Sequence, residues 1–236
     1  MSETIGDNRL ARLLAGTELF RDLPPADQAA CARKFRALHF NKGQMLFARG
    51  DPGTQLYLIA EGRVRLAIGT LEGRELSFQI AGAGDIIGEI AVLDGRPRSA
   101  EATALTPVVV YALERGALRE LWAQHALLAN SIISFLCWRL RDASDRLESV
   151  ALYPLEVRLA RFLNIALGTR EAPPGRRVPL ELGFSQSELA MLLGASRPKI
   201  NAALGELERA GAIGRTADRL FCDRAKLNAI AQGNDE

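Results

Sequence analysis

Only three cysteines occur in the 236-residue chain, scattered at Cys31, Cys137 and Cys222. An odd, widely spaced set offers neither a disulfide framework nor the paired spacing of a zinc site. No run of about 18 apolar residues is present, so no membrane-spanning helix is expected. The start, Met1-Ser2-Glu3-Thr4, lacks a basic segment followed by an apolar run, so no secretory signal is expected. There is no Walker loop and no nucleophile paired with a base, which argues against an enzyme. No catalytic residue and no metal ligand is assigned, and a reduced, cytoplasmic protein is the expectation.

Charge of one sign is also scarce. The formal net charge is +2, too small to announce nucleic-acid binding by itself. Residues 1–150 hold 18 basic and 18 acidic side chains, and residues 151–236 hold 12 and 10. The whole excess therefore lies in the C-terminal part, which is weak support for a DNA-facing region there.

What is present changes texture along the chain. Residues 8–38 read as short helices, with Leu10, Leu13 and Leu14 on one face and a restart at Leu23-Pro24-Pro25. From His39 to Leu113 short apolar runs alternate with Gly-bearing turns about every ten residues, such as Arg49-Gly50-Asp51-Pro52-Gly53 and Gly82-Ala83-Gly84-Asp85. That spacing predicts an antiparallel barrel or sandwich. Leu56-Tyr57-Leu58-Ile59-Ala60 and Val108-Val109-Val110-Tyr111 are its clearest strand cores. From about Glu114 to Leu152 a single long helix is expected. Leu128, Ile132, Phe135 and Arg139 follow steps of three and four, with Leu136, Leu140 and Leu147 nearby. Leu140 and Leu147 lie beyond the reach of a small barrel and suit a second copy of the helix. Pro154 pushes Tyr153 out of the helical region and suits the start of a new helix, making Leu152-Tyr153-Pro154 a hinge. Residues 168–180 read as an irregular connector.

Within the barrel, Ile87-Gly88-Glu89-Ile90-Ala91-Val92-Leu93-Asp94-Gly95-Arg96-Pro97-Arg98-Ser99-Ala100 sets one carboxylate and one arginine nine residues apart. A buried Glu or Arg is costly without a partner. An Arg beside a hydroxyl and free N–H groups suits a phosphate, and a carboxylate accepts hydrogen bonds from a sugar hydroxyl. Sugar plus phosphate in one cassette suggests a small nucleotide. A strand–turn–strand in which Arg98 simply pairs with Glu89 is the alternative.

Further on, residues 184–208 read as helix, turn, helix. Ser185 is an N-cap followed by Gln186, with Glu188 as its capping-box partner. Gly194 ends the first helix, Ser196 caps the second, and Pro198 lies in its first turn. Arg197, Lys199 and Asn201 then point outward near the start of the second helix, where a recognition helix meets base edges. Arg215-Thr216-Ala217-Asp218-Arg219-Leu220-Phe221-Cys222 follows as a candidate wing.

The stretch Gly88-Glu89-Ile90-Ala91 … Pro97-Arg98-Ser99-Ala100 resembles the phosphate-binding cassette of the cyclic-nucleotide-binding domain in the Crp/Fnr family of bacterial transcription regulators. Ala195-Ser196-Arg197-Pro198-Lys199-Ile200-Asn201 resembles the start of that family's recognition helix. The resemblance implies an α+β chain with an N-terminal β-roll or jelly roll (1–113), a long dimerisation helix and hinge (114–153) and a winged helix-turn-helix domain (154–236). It implies that Glu89 holds the ribose 2′-OH, and that Arg98 and Ser99 hold the cyclic phosphate with backbone N–H groups of Gly88, Ile90 and Ala91. Arg139 falls where the family has an arginine that pairs with the cassette glutamate. Ala143 and Ser144 fall where the best-known cAMP-responsive member has two hydroxyl residues against adenine; Ser144 keeps one hydroxyl and Ala143 loses the other. The implied ligand is cAMP, with cGMP or cyclic di-GMP as alternatives. The implied partners are a palindromic double-stranded operator contacted through Ser185, Gln186, Ser196, Arg197, Lys199 and Asn201, a second copy of the chain, and RNA polymerase. Pro198 and Ala202 depart from the familiar recognition helix, so the operator need not be the familiar one. An iron–sulfur sensor lacks its cysteines, and His39 and His125 read as structural rather than as haem ligands. A ligand-independent regulator and a regulatory subunit of an enzyme or transporter remain as alternatives, the latter leaving the winged helix unexplained.

Overall fold

The computed structural model describes residues 3–69, 75–168, 176–181, 185–216 and 219–233. Contacts divide the chain into two compact units, Met1–Arg141 and Asp142–Glu236.

The N-terminal unit opens with α1 (Glu3–Gly16) and α2 (Pro25–Ala32), whose start at Pro25 is the expected helix restart. Eight strands follow: β1 (Arg36–Phe40), β2 (Met45–Phe47), β3 (Gln55–Glu61), β4 (Val64–Gly69), β5 (Glu75–Ala81), β6 (Ile86–Ile87), β7 (Glu101–Ala104) and β8 (Val108–Glu114). They form two antiparallel four-stranded sheets in the orders β1-β8-β3-β6 and β2-β7-β4-β5. Helix α3 (Glu89–Asp94) bridges β6 and β7 across the two sheets.

Strand β3 is buried on both faces, and its period of two divides its side chains between two cores. Leu56 and Leu58 join Leu14, Phe20, Leu121, Leu128, Ile132 and Phe135 in a core between sheet and helices. Tyr57 and Ile59 join Val64, Leu66, Ile87, Ala102 and Val110 in a core lined by both sheets. Cys31 and Cys222 are buried, and burial pushes both thiols up to about 11. They are packing residues with little thiolate at neutral pH.

The helix expected from Glu114 to Leu152 is two helices, α4 (Arg115–Gln124) and α5 (Ala126–Leu152), broken at His125. His125 adopts φ −125° and ψ 91°, and its Nδ1 lies 2.8 Å from Asp27 of α2. No Gly or Pro marks the break; the contact to Asp27 ties this point of the chain to α2. The first half of α5 buries Leu128, Ser131, Ile132 and Phe135. A second stripe on α5 faces away: Ile133 is 59%, Leu140 69% and Leu147 71% exposed, with Leu136 and Val150 also exposed.

The C-terminal unit contains the end of α5, then α6 (Leu155–Leu167), β9 (Val178–Leu180), α7 (Gln186–Leu192), α8 (Arg197–Arg209), β10 (Ile213–Arg215), β11 (Leu220–Cys222) and α9 (Arg224–Gln232). Pro154 is the N-cap of α6, and Tyr153 separates it from α5 as expected. Residues 178–180 are a strand rather than irregular connector. β9 forms the edge of the sheet β10-β11-β9, with Pro179 opposite Phe221. An edge strand tolerates a proline that lacks an N–H, and this pairing joins segments some forty residues apart. Phe184 and the hairpin-tip residues Ala217 and Asp218 lie outside the described residues.

Candidate functional site

The cassette begins where β6 ends. Gly88 turns the chain at φ 75° and serves as N-cap of α3, which ends at Gly95, also left-handed at φ 81°. Glycine is needed at Gly88 for a second reason, since a Cβ there would lie 2.5 Å from Arg98 Nη1. That close approach fixes the guanidinium. Arg98 Nη1 donates to the Gly88 carbonyl at 2.7 Å and Nη2 donates to the Gln55 carbonyl at 2.5 Å. Its guanidinium carbon lies 4.3 Å from the Phe47 ring centroid, and Phe47 stacks on Tyr57. Arg98 is only 4% exposed. Burial lowers its pKa, opposed by the nearby Tyr57, Asp51 and Glu89, and a guanidinium nevertheless keeps its proton.

Glu89 opens α3 and is 5% exposed. Its Oε1 lies 3.3 Å from Arg139 Nε on α5, a charge contact without hydrogen-bond alignment. This pairing is the one the family resemblance implies, and it replaces the alternative in which Glu89 serves Arg98. Arg139 is held further by the Ile86 carbonyl at 2.5 Å and by Gln79 Oε1 at 3.2 Å. Burial pushes the Glu89 carboxyl above its ordinary value; Arg139, its own backbone N–H and Arg98 pull the other way.

The remaining cassette residues divide by exposure. Ala91 is buried, and its carbonyl accepts a hydrogen bond from Arg115 Nη2. Ile90 and Ser99 are exposed. Ala143 and Ser144 are exposed on α5, one turn beyond Arg139. The chemistry on offer suits an anionic ligand that carries hydroxyls. Arg98 Nε is buried and has no hydrogen-bond partner among the described residues, and Glu89 is a buried acceptor beside it.

In the C-terminal unit the capping box is complete. Ser185 Oγ accepts from Glu188 N at 3.2 Å, and Ser185 N donates to Glu188 Oε2 at 2.7 Å. Gly194, at φ 59°, ends the helix, and Arg158 Nη1 donates to the Leu193 carbonyl at 2.7 Å. Ser196 occupies the N-cap position of α8 in extended conformation, but its hydroxyl makes no capping hydrogen bond. The expectation that Ser196 caps α8 is corrected to that extent. Ile200, Ala203, Leu204 and Leu207 are buried, so Arg197, Lys199 and Asn201 are left exposed at the first turn, and Gln186 is half-buried. The wing arginines are neutralised within the unit: Arg215 pairs with Glu208 at 2.5 Å and Arg219 with Glu181 at 2.9 Å.

Residues 37–125 match the model of the cyclic nucleotide-binding domain, and residues 157–230 match that of the Crp-like helix-turn-helix domain. A CRP-like cAMP-activated global transcriptional regulator from Mycobacterium tuberculosis (strain CDC 1551 / Oshkosh) is 31% identical over 84% of this chain and 89% of its own length. The chain belongs to the Crp/Fnr family of transcription regulators. The cyclic AMP receptor protein of Thermus thermophilus is 30% identical over 85% of this chain and 89% of its own. The crystal structure of Thermus thermophilus catabolite activator protein superimposes with a TM-score of 0.53 at 29% identity, covering 92% of this chain and 99% of that one. The expected fold class and the reading as a regulator rather than an enzyme agree with this membership. No helix among the described residues is long and apolar enough to cross a membrane.

Sequence reasoning missed four contributors to the site: the Gln55 carbonyl, Phe47 and Tyr57 around Arg98, and Gln79 against Arg139. None carries a local motif, and all arrive from other strands.

Glu89 gives a pH prediction. Its folded pKa is raised above the unfolded value of about 4.3, so the favourable contribution is complete below that value and is lost as pH rises through the folded pKa. Glu89→Gln removes this loss. Thermal unfolding followed from pH 4 to pH 7 is expected to show Glu89→Gln gaining on wild type as pH rises. A constant difference between the two proteins would show that the carboxylate is not held in a desolvated state.

Proposed function

We propose that this chain is a homodimeric DNA-binding regulator gated by a cyclic nucleotide, with cAMP as the first ligand and cGMP as the second. The observation that carries the proposal is the buried pair Arg98 and Glu89 with the largely covered Arg139, in which the Arg98 Nε has no hydrogen-bond partner among the described residues and a carboxylate stands ready for a hydroxyl. Arg98, with the Ser99 hydroxyl and cassette N–H groups at Gly88, Ile90 and Ala91, holds the cyclic phosphate. Glu89 accepts from the ribose 2′-OH, and Arg139 opposes the burial that raises its carboxyl. The named activities of the relatives, cAMP activation and cAMP reception, support cAMP.

The dimer reading rests on α5. Ala126, Ile133, Leu140 and Leu147 alternate with Ala129, Leu136, Ala143 and Val150 in steps of three and four. That is the a/d pattern of a coiled coil, and its larger members are exposed. Arg139 then falls at position g and Ser144 at position e. In a parallel pair, a g side chain flanks the e side chain five residues on in the partner, so Ser144 of the partner subunit reaches the Arg139–Glu89 end of the site. Ala143 belongs to the seam and has no hydroxyl, which is the specific reason to keep cGMP as a second reading. Ligand then bears on the dimer seam as well as on the roll, which is the differential contact a gate requires.

The DNA reading rests on α8. Arg197, Lys199 and Asn201 present guanine-, phosphate- and adenine-reading groups at its exposed first turn, with Ser185, Gln186 and Ser196 near the backbone. A two-fold dimer reads a palindrome with half-sites about one helical turn apart. RNA polymerase is the further partner that family membership implies.

Calorimetric titration with cAMP, cGMP and cyclic di-GMP tests the ligand. Arg98→Ala is expected to weaken nucleotide binding by roughly 2–5 kcal/mol, about 30-fold or more; unchanged affinity would remove Arg98 from the site. Arg197→Ala is expected to cost about 1–3 kcal/mol at operator sequences in a mobility-shift assay while ligand affinity stays the same; retained base preference would end its reading role. Leu140→Arg combined with Leu147→Arg is expected to sediment as a monomer, and an intact dimer would place the interface elsewhere.

A further inference from the structure

The wing of the C-terminal unit carries its basic charge in closed pairs. The Thr216 N–H and hydroxyl both donate to the Arg219 carbonyl, at 2.9 and 3.2 Å, and close the hairpin below its tip. Arg215 and Arg219 thus stand on its two strands at the same end. Arg215 Nη2 donates to Glu208 Oε2 at 2.5 Å, and Arg219 Nη2 lies 2.9 Å from Glu181 Oε1. Hydrogen bonding to Arg215 holds the Glu208 carboxyl below its ordinary value. Neither carboxylate belongs to the wing: Glu208 stands on α8 and Glu181 follows β9.

Glu208 lies eleven residues after Arg197, about three helical turns, and so shares the flank of α8 that carries Arg197 and Asn201. Ile200, Ala203, Leu204 and Leu207 take the buried side. Glu206 lies on the opposite flank, where it pairs with Arg209 at 2.5 Å. The wing therefore meets α8 along the flank of its base-reading residues. On such a flank an arginine suits a backbone phosphate, and a carboxylate on that arginine competes with the phosphate for the same N–H groups.

We propose that Glu208 stands in for a DNA phosphate on Arg215, and that the wing engages duplex DNA by exchanging this carboxylate for a phosphate of the backbone. Glu181 repeats the arrangement on Arg219. The inference rests on the DNA reading of α8 given above. Arg215 and Glu208 are each about one-third exposed, and an exposed ion pair is weak enough to exchange. Phosphates carry no sequence information, so the exchange weakens binding to every duplex by one factor. The chain is thereby kept off DNA where base contacts are missing.

A double-mutant cycle separates exchange from a general effect of negative charge. Affinity for a random-sequence duplex is measured by fluorescence anisotropy on the full-length protein, with and without cAMP, over a range of salt. Glu208→Ala is expected to tighten binding about two- to five-fold. It is also expected to steepen the slope of log affinity against log salt by roughly one, because a carboxylate freed by exchange takes up a cation and offsets one released from DNA. In an Arg215→Ala background, adding Glu208→Ala is expected to leave affinity unchanged. Glu206→Ala removes the same charge from the other flank and is expected to bind as wild type does. Affinity unchanged by Glu208→Ala alone overturns the inference. Equal tightening in both backgrounds, or by Glu206→Ala, also overturns it, since that pattern belongs to charge acting at large. If wild type binds duplex DNA and Arg197→Ala loses base preference, the DNA reading stands and the cycle alone decides. If wild type binds no duplex in either condition, the DNA reading and the inference on Glu208 both fail.

Discussion

Charge taken out of water is the constraint around which the N-terminal unit is arranged. Arg98 and Glu89 are among its most buried polar side chains, and Arg139 is largely covered. Such groups are tolerated only where partners replace the lost water. Each structural peculiarity near the cassette serves that replacement. Gly88 leaves room for the guanidinium and turns its carbonyl onto it. The Gln55 carbonyl and the Phe47 ring complete the bed. The bulge in β5 brings Gln79 to Arg139, and β6 contributes the Ile86 carbonyl. Compensation is incomplete, as the raised Glu89 carboxyl and the unmet Arg98 Nε record. A site left partly unsatisfied in this way stores the capacity that a polar ligand uses.

Helix α5 places three chemistries on one cylinder. Leu128, Ile132 and Phe135 lie in the core beneath the roll. Ile133, Leu136, Leu147 and Val150 form an exposed apolar stripe. Arg139 lies at the border of these two faces and is tied to the cassette. A change at the cassette is therefore mechanically adjacent to the surface on which a second chain would seat, and no long relay is needed between them.

In the C-terminal unit, packing rather than charge positions the reading surface. Ile200, Ala203, Leu204 and Leu207 fix the rotation of α8, which leaves its first-turn polar residues outward. Arg158 secures the preceding turn through the Leu193 carbonyl, a cation at a helix C-terminus where the helix dipole favours it. The wing arginines are held by Glu208 and Glu181, whereas Arg197 and Lys199 stand exposed at the start of α8.

The sequence determined what depends on local spacing. Period-two strands with glycine turns specified the roll, the capping box at Ser185 and Glu188 specified α7, and proline at 154 specified the break after α5. The spacing of Glu89 and Arg98 specified that both charges belong to one short cassette. Long-range contacts decided the rest. The break at His125 coincides with a contact to Asp27, ninety-eight residues earlier, and no helix-breaking residue announces it. Strand β9 exists because β11 pairs with it, although prolines and glycines beside it read as connector. That Glu89 takes Arg139 as its partner, that Phe47 and Tyr57 underlie Arg98, and that Gln79 reaches Arg139 all depend on elements distant in sequence being brought together. Sequence patterns encode which face of an element is apolar, because that follows from helical and strand periodicity. Which charged group stands opposite another follows from how whole elements cross, and only the folded chain sets that.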